Sequence, residues 1–173
     1  MSASPVTPST LAAGSTTQGV SSTGEYRERG ELGERRQTAA AAPAWSYYWL
    51  WAAGIYNLAW GLATIAAPHL LFDLTGIPRV NYPEIWQCVG MIVGVYGIGY
   101  IAAAYDSRRH WPIVLVGLLG KIFGPIGFAG ALLKGTFPLA FGATILTNDL
   151  VWWIPFTLIL WDAWRAARAS SGR

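Results

Sequence analysis

The sequence predicts an all-α integral membrane protein, a four-helix bundle preceded by a disordered N-terminal tail. Three observations predict it. Of the 173 residues only 21 are charged while 53% are hydrophobic, about half the usual charged share of a soluble domain. The charges are also poorly mixed, with nine in the 117 residues from Trp45 to Trp161, too few to clothe a water-facing surface. Ten Trp and twenty Gly are abundant in a pattern that membrane spans and their interfaces favour.

Residues 1–44 are rich in Ser, Thr, Ala and Gly and nearly free of large apolar side chains before Trp45. They read as a disordered cytoplasmic tail. Within it, Glu25/Arg29 and Glu31/Arg35 stand at helical i,i+4 spacing, but Gly30 and Gly33 interrupt, so a transient helix or a solvated segment is expected. No basic start followed by a short apolar run marks a secretory signal.

Residues 45–168 form the bundle. Four apolar runs reach the roughly 20 residues a helix needs to cross a bilayer core: 45–67, 84–105, 111–133 and 138–161, the last fraying toward Arg168. Pro83 and Pro112 stand at first-turn positions, where a missing N–H costs nothing. Short connections at 106–110 and 134–137 make spans two, three and four antiparallel neighbours. The longer connection contains HLLFDLTGIP, a short interfacial helix stopped by Gly76 and Pro78.

Lysine and arginine outside the spans set orientation. Arg27, Arg29, Arg35, Arg36, Arg108, Arg109, Arg165, Arg168 and Arg173 fall on one side, Arg79 and Lys134 on the other. Nine against two places both termini in the cytoplasm, in a multi-pass protein of the plasma (inner) membrane. Trp45, Trp49, Trp111, Trp161 and Trp164 then belt the cytoplasmic face, with Tyr82 and Trp86 at the outer one.

Small residues at 3–4 spacing line three spans: Gly54, Asn57, Gly61 and Thr64; Gly90, Gly94, Gly97 and Ala104; Gly117, Gly120, Gly124, Gly127 and Ala131. Such stripes let helices approach closely. They read as seams inside one bundle, the alternative being a homodimer interface.

The residue inventory supplies no catalytic constellation. A single cysteine, Cys88, excludes an intrachain disulfide or a Cys-based zinc site. His69 and His110 lie at opposite ends of a span, about 30 Å apart, so no shared metal is expected and no cofactor is assigned. The dispersed charge of +3 points away from nucleic acid. The lipid bilayer is the expected partner, joined by a second copy or a membrane complex.

What remains is polar residues at membrane depth. Asn57, Lys121, Asn148 and Asp149 fall near the midplane, and Glu84 and Gln87 near the outer mouth of span two. An ionisable residue at that depth is a functional candidate by default. Lys121 and Asp149 are expected to approach each other at one depth, either neutralising each other and pinning the register or forming a working site. Gln87 and Asn57 read as interhelical hydrogen-bond partners, and Cys88 as packing. Trp60, Trp152 and Trp153 could line an apolar pocket, with Glu84 or Asp149 as proton donor.

YNLAWG (56–61), NYPEIWQCVGMIVGVYGIGY (81–100), RHWPIVLVGLLGKIFGPIGF (109–128) and NDLVWWIPF (148–156) resemble a group of uncharacterised four-span bacterial inner-membrane proteins. Some of that group carry the label alkyl hydroperoxide reductase. The span count, with Gly61 and Pro68 in and after span one, is similar to DoxX-like membrane proteins, some associated with quinone redox systems. Around Cys88, however, Pro83, Glu84, Ile85, Trp86 and Gln87 lack the hydroxyl residue and proline spacing of a peroxidatic P-x-x-x-[ST]-x-x-C motif. The expectation is therefore a non-enzymatic accessory subunit or permease-like bundle. The alternative is an intramembrane enzyme or redox-associated subunit acting on a quinone or lipid.

Overall fold

The computed structural model describes residues 41–171 and, upstream, Gly24, Tyr26, Arg27, Arg29 and Gly30. Those five upstream residues are helical and exposed. The rest of the segment expected to be a disordered tail lies outside the described residues.

Among the described residues the protein is all-helical: α1 (Ala44–Ala66), α2 (Leu70–Thr75), α3 (Pro83–Ala104), α4 (Trp111–Leu133), α5 (Gly142–Ile145) and α6 (Val151–Ser171). A 3-10 turn (Leu139–Phe141) precedes α5, and a π-helical turn (Leu146–Leu150) joins α5 to α6. The four long segments thus follow the four apolar runs. Three of them, Pro83–Ala104, Trp111–Leu133 and Leu139–Ser171, are long and apolar enough to cross a membrane. The first is equally long at 23 residues, but Ser46, Tyr47, Tyr48, Asn57 and its tryptophans make it less apolar. Residues such as Leu62, Ile92, Val95, Ile98, Phe123, Ile126 and Ile154 point outward, as lipid-facing side chains do.

Local chemistry explains the boundaries. Pro83 opens α3 and Pro112 lies in the first turn of α4, where the helix has no donor to lose. Gly76 ends α2 in the left-handed region at φ 71°, a conformation glycine adopts without a Cβ penalty. Just beyond it, Arg79 forks onto Asp73 at 2.7 and 2.8 Å, folding the connection back on α2.

Two helix pairs compose the bundle. α1 and α3 pack through glycine: a Cβ on Gly54 would lie 2.8 Å from the Gly97 carbonyl oxygen, and one on Gly61 would lie 2.5 Å from that of Gly90. The two contacts run in opposite chain directions, the register of antiparallel helices in backbone contact. The stripe expected on α4 is only partly used. Gly117 receives the Tyr100 ring and Gly124 faces Asp149, whereas Gly120 and Gly127 look into open space. The fourth segment packs against α4. Leu50, Ala53, Tyr100, Ala103, Val114, Trp152, Phe156 and Ile159 form the hydrophobic core, at the end of the bundle that holds the 106–110 turn.

Candidate functional site

The site lies beside an internal proline of α4 and the π turn of the fourth segment. Pro125 has no N–H for the carbonyl of Lys121, four residues earlier in α4. That carbonyl instead accepts the indole N–H of Trp153 at 2.9 Å. In the fourth segment the π turn widens the backbone, and π turns often mark functional positions. Its carbonyls also take side-chain donors. Trp152 Nε1 donates to Thr147 at 3.1 Å, and Lys121 Nζ donates to Asn148 at 2.5 Å. The two helices are therefore stitched reciprocally: Lys121 donates to a carbonyl of the fourth segment while Trp153 donates to the carbonyl of Lys121.

Lys121, Asn57 and Asp149 are all buried, at 5%, 3% and 3% exposure. Asn57 Oδ1 lies 3.5 Å from Lys121 Nζ, a long contact that brings α1 to the same centre. Asp149 Oδ1 accepts from Asn148 Nδ2 at 3.0 Å, and its other oxygen rests over Gly124. The Asn148 Oδ1 atom is buried without a hydrogen-bond partner.

The direct charge pair expected between Lys121 and Asp149 is not formed. Among the described residues the ion pairs are Arg79–Asp73 and Arg108–Asp162. The reason is the π turn: it presents the Asn148 carbonyl to the ammonium, while Asp149 turns toward Gly124. The two residues do share one centre.

The other candidates are dispersed. Gln87 Nε2 donates to the Ile65 carbonyl at 2.8 Å, one of the last carbonyls of α1 that lack a helical donor, so it does link two helices. Glu84 and Cys88 are exposed at the opening turns of α3. The three tryptophans do not meet in one pocket. Trp60 packs on Trp86, Trp152 on Trp49, Tyr56 and Phe156, and Trp153 serves the Lys121 carbonyl. An apolar cleft of about 640 Å³ is lined instead by Phe128, Leu139, Gly142, Ile145, Leu146 and Leu150. Ile145 and Phe128 stand four residues from Asp149 and Gly124, so the cleft is the next layer of the same seam.

Sequence reasoning missed two contacts beside the site and two pairs at the far end of the bundle. Tyr100 is fully buried against Gly117. Tyr56 donates to Thr147 at 3.2 Å. At the far end, Arg108 forks onto Asp162 at 2.7 and 3.0 Å, and the Ser46 and Ser107 hydroxyls meet at 3.0 Å. No spacing in the sequence marks these partners; Pro125, four residues after Lys121, is a local signal for the free carbonyl there, which sequence reasoning passed over.

The ion pairs outside the spans shift as expected. Hydrogen bonding from Arg79 holds the Asp73 carboxyl below its ordinary range, and the bond to Asp162 raises the Arg108 guanidinium. No group of three or more His, Cys, Asp or Glu converges among the described residues. Three long apolar helices and a buried, charge-bearing centre define the class: a polytopic α-helical membrane protein. Comparison with protein-family models, curated proteins and solved structures finds no match.

Proposed function

We propose that the chain is a small multi-pass protein of the plasma membrane, non-enzymatic, working as a permease-like bundle or as the accessory subunit of a membrane complex. Both termini lie in the cytoplasm, and α1 is the fourth span. The observation that carries this reading is Lys121. An ammonium inside a membrane span is costly and is kept where it does something. Here it is held by the Asn148 carbonyl of a π turn and by the Asn57 side chain, a polar centre at membrane depth. The nine-to-two imbalance of Lys and Arg supports the orientation. The close backbone contact of α1 with α3 supports counting α1 as a span. The sequence likeness to four-span bacterial inner-membrane proteins supports the compartment.

Two experiments test it. With Ser22→Cys and Ser170→Cys, each introduced singly on a Cys88→Ser background because the native thiol is exposed, a membrane-impermeant thiol reagent is expected to react only after lysis, and reaction in intact cells overturns the orientation. In proteoliposomes, or by pull-down in mild detergent, the wild type is expected to show solute flux or a stoichiometric protein partner. Lys121→Met, folded by circular dichroism, is expected to lose it. A purified chain that turns over a substrate without any partner defeats the non-enzymatic reading.

The apolar cleft favours a second reading, an intramembrane enzyme or redox-associated subunit that takes a quinone or lipid, with Asp149 one turn deeper as proton donor. Stoichiometric copurification of such a molecule, lost on Ala143→Trp at another residue of the cleft wall, would select it over the first.

A further inference from the structure

The end of the bundle that holds the 106–110 turn is built as a rigid platform. Ser46, at the start of α1, bonds both the Pro43 carbonyl at 2.7 Å and the Ser107 hydroxyl at 3.0 Å, and both serines are 1% exposed. Arg108, next in the chain, forks onto Asp162 of α6. One turn thus fixes two helices to the connection between the other two.

The platform holds more positive charge than it uses. Asp162 is taken by Arg108, and the Asp106 carboxylate accepts the backbone N–H of Arg109 at 3.1 Å. Arg109, Arg165 and Arg168 are exposed and pair with no carboxylate among the described residues. Arg109 follows Arg108, and Arg165 lies three residues beyond Asp162, so the Arg108–Asp162 fork sets both at one end of the bundle. Beside them Trp161 and Trp164 are exposed with ring centres 5.0 Å apart, and the Arg168 guanidinium stacks 3.9 Å over Trp164. Three exposed guanidiniums, that of Arg168 held on Trp164, next to an exposed indole pair combine two affinities. Guanidinium forks match phosphate oxygens, and indoles settle at the level of glycerol and upper acyl chain.

The geometry points to a headgroup site for one anionic phospholipid, its phosphate gripped by Arg109 and Arg165 and its glycerol backbone against Trp161 and Trp164. The site rests on the chain being a membrane protein. It requires neither the cytoplasmic orientation nor the permease-like reading, so their failure leaves it standing.

The test uses the full-length protein in a neutral detergent. Phosphatidylglycerol, phosphatidylcholine and inorganic phosphate are added in parallel; bound molecules are counted by native mass spectrometry and Tm is followed. Phosphatidylglycerol is expected to saturate first at one molecule per chain and to raise Tm, while the other two do neither. Arg109→Gln with Arg165→Gln should weaken that binding roughly thirtyfold, the contribution of two basic side chains at an anionic surface. Arg79→Gln, in the connection between α2 and α3, should leave it unchanged. Equal binding of phosphatidylcholine, stabilisation by phosphate alone, or an equal loss in Arg79→Gln overturns the proposal. So does wild-type affinity in the double variant. If the double variant does not fold, Arg165→Lys is measured. It keeps the charge but not the fork, so a weakened affinity supports the site and an unchanged one refutes it.

Discussion

Replacing Lys121 by methionine is the most direct perturbation of the buried centre. Methionine nearly preserves the volume and fits an apolar surround, so packing changes little. Two polar groups lose their partner. The Asn148 carbonyl is left without its 2.5 Å donor, and a stranded buried acceptor costs about 1–3 kcal/mol. Asp149, 3% exposed, becomes the centre's one charge. Removing one member of a buried contact pair costs about 3–5 kcal/mol. Here the ammonium and carboxylate do not touch, so the charge effect is the smaller part. A total of about 3 kcal/mol follows, which should appear as a shift in the midpoint of unfolding when SDS is titrated into a mild-detergent solution. Lys121→Met with Asp149→Leu should recover the charge part and keep the carbonyl part, leaving about 2 kcal/mol. The reasoning is refuted if Lys121→Met unfolds within error of wild type. It is equally refuted if the double variant is no more stable than the single.

Other perturbations have equally definite outcomes. Gly61→Ala pushes a methyl to 2.5 Å from the Gly90 carbonyl oxygen and should cost about 1–3 kcal/mol in the same titration, whereas Gly127→Ala, facing open space, should cost nothing measurable. Gly124→Ala places its Cβ 2.9 Å from Asp149 Oδ2 and should abolish any flux or partner binding that depends on Lys121, while retaining helix content by circular dichroism. A double-mutant cycle on Arg108→Gln and Asp162→Asn should return a coupling of about 1 kcal/mol, since both side chains are about a quarter exposed. The carboxyl of Asp73 is depressed by Arg79, so its contribution is present above the ordinary value of 3.8 and is lost as pH falls through the lower folded value. Pepsin cleavage within residues 70–75 should therefore accelerate below pH 3.8, and Asp73→Asn should lose that pH dependence.

The apolar runs marked all four long segments, because continuous hydrophobicity over a span is a strong one-dimensional signal. The stop at Gly76 was equally plain, since glycine before proline is local chemistry. The α1–α3 seam could be read from Gly54, Gly61, Gly90 and Gly97, yet the same spacing on α4 misled. A stripe names a face, and only the neighbours decide whether Gly120 and Gly127 are covered. The broken fourth segment was illegible. Leu146–Leu150 contains neither proline nor glycine, and its π turn is held by partners distant in sequence, among them Lys121. For the same reason Lys121 and Asp149 were placed at one centre by counting, while the ammonium's choice of a carbonyl over a carboxylate was out of reach.

That choice bears on how the bundle holds together. In a bilayer, burying apolar side chains gives little net attraction between helices, because lipid tails solvate them as well as protein does. α1 and α3 overcome this by glycine contact along much of their length. α4 and the fourth segment lack that continuous contact, with Gly120, Gly127 and Gly130 open and an apolar cleft between them. The stitch of Lys121 to Asn148 and Trp153 to Lys121 takes its place, one hydrogen bond to a π-turn carbonyl and one to the carbonyl that Pro125 leaves free. Pro125 is what makes the Lys121 carbonyl available for this join, and the join is polar, buried and centred on an ionisable group. A pair united in that way can be loosened by whatever competes for the ammonium, whereas a glycine seam cannot.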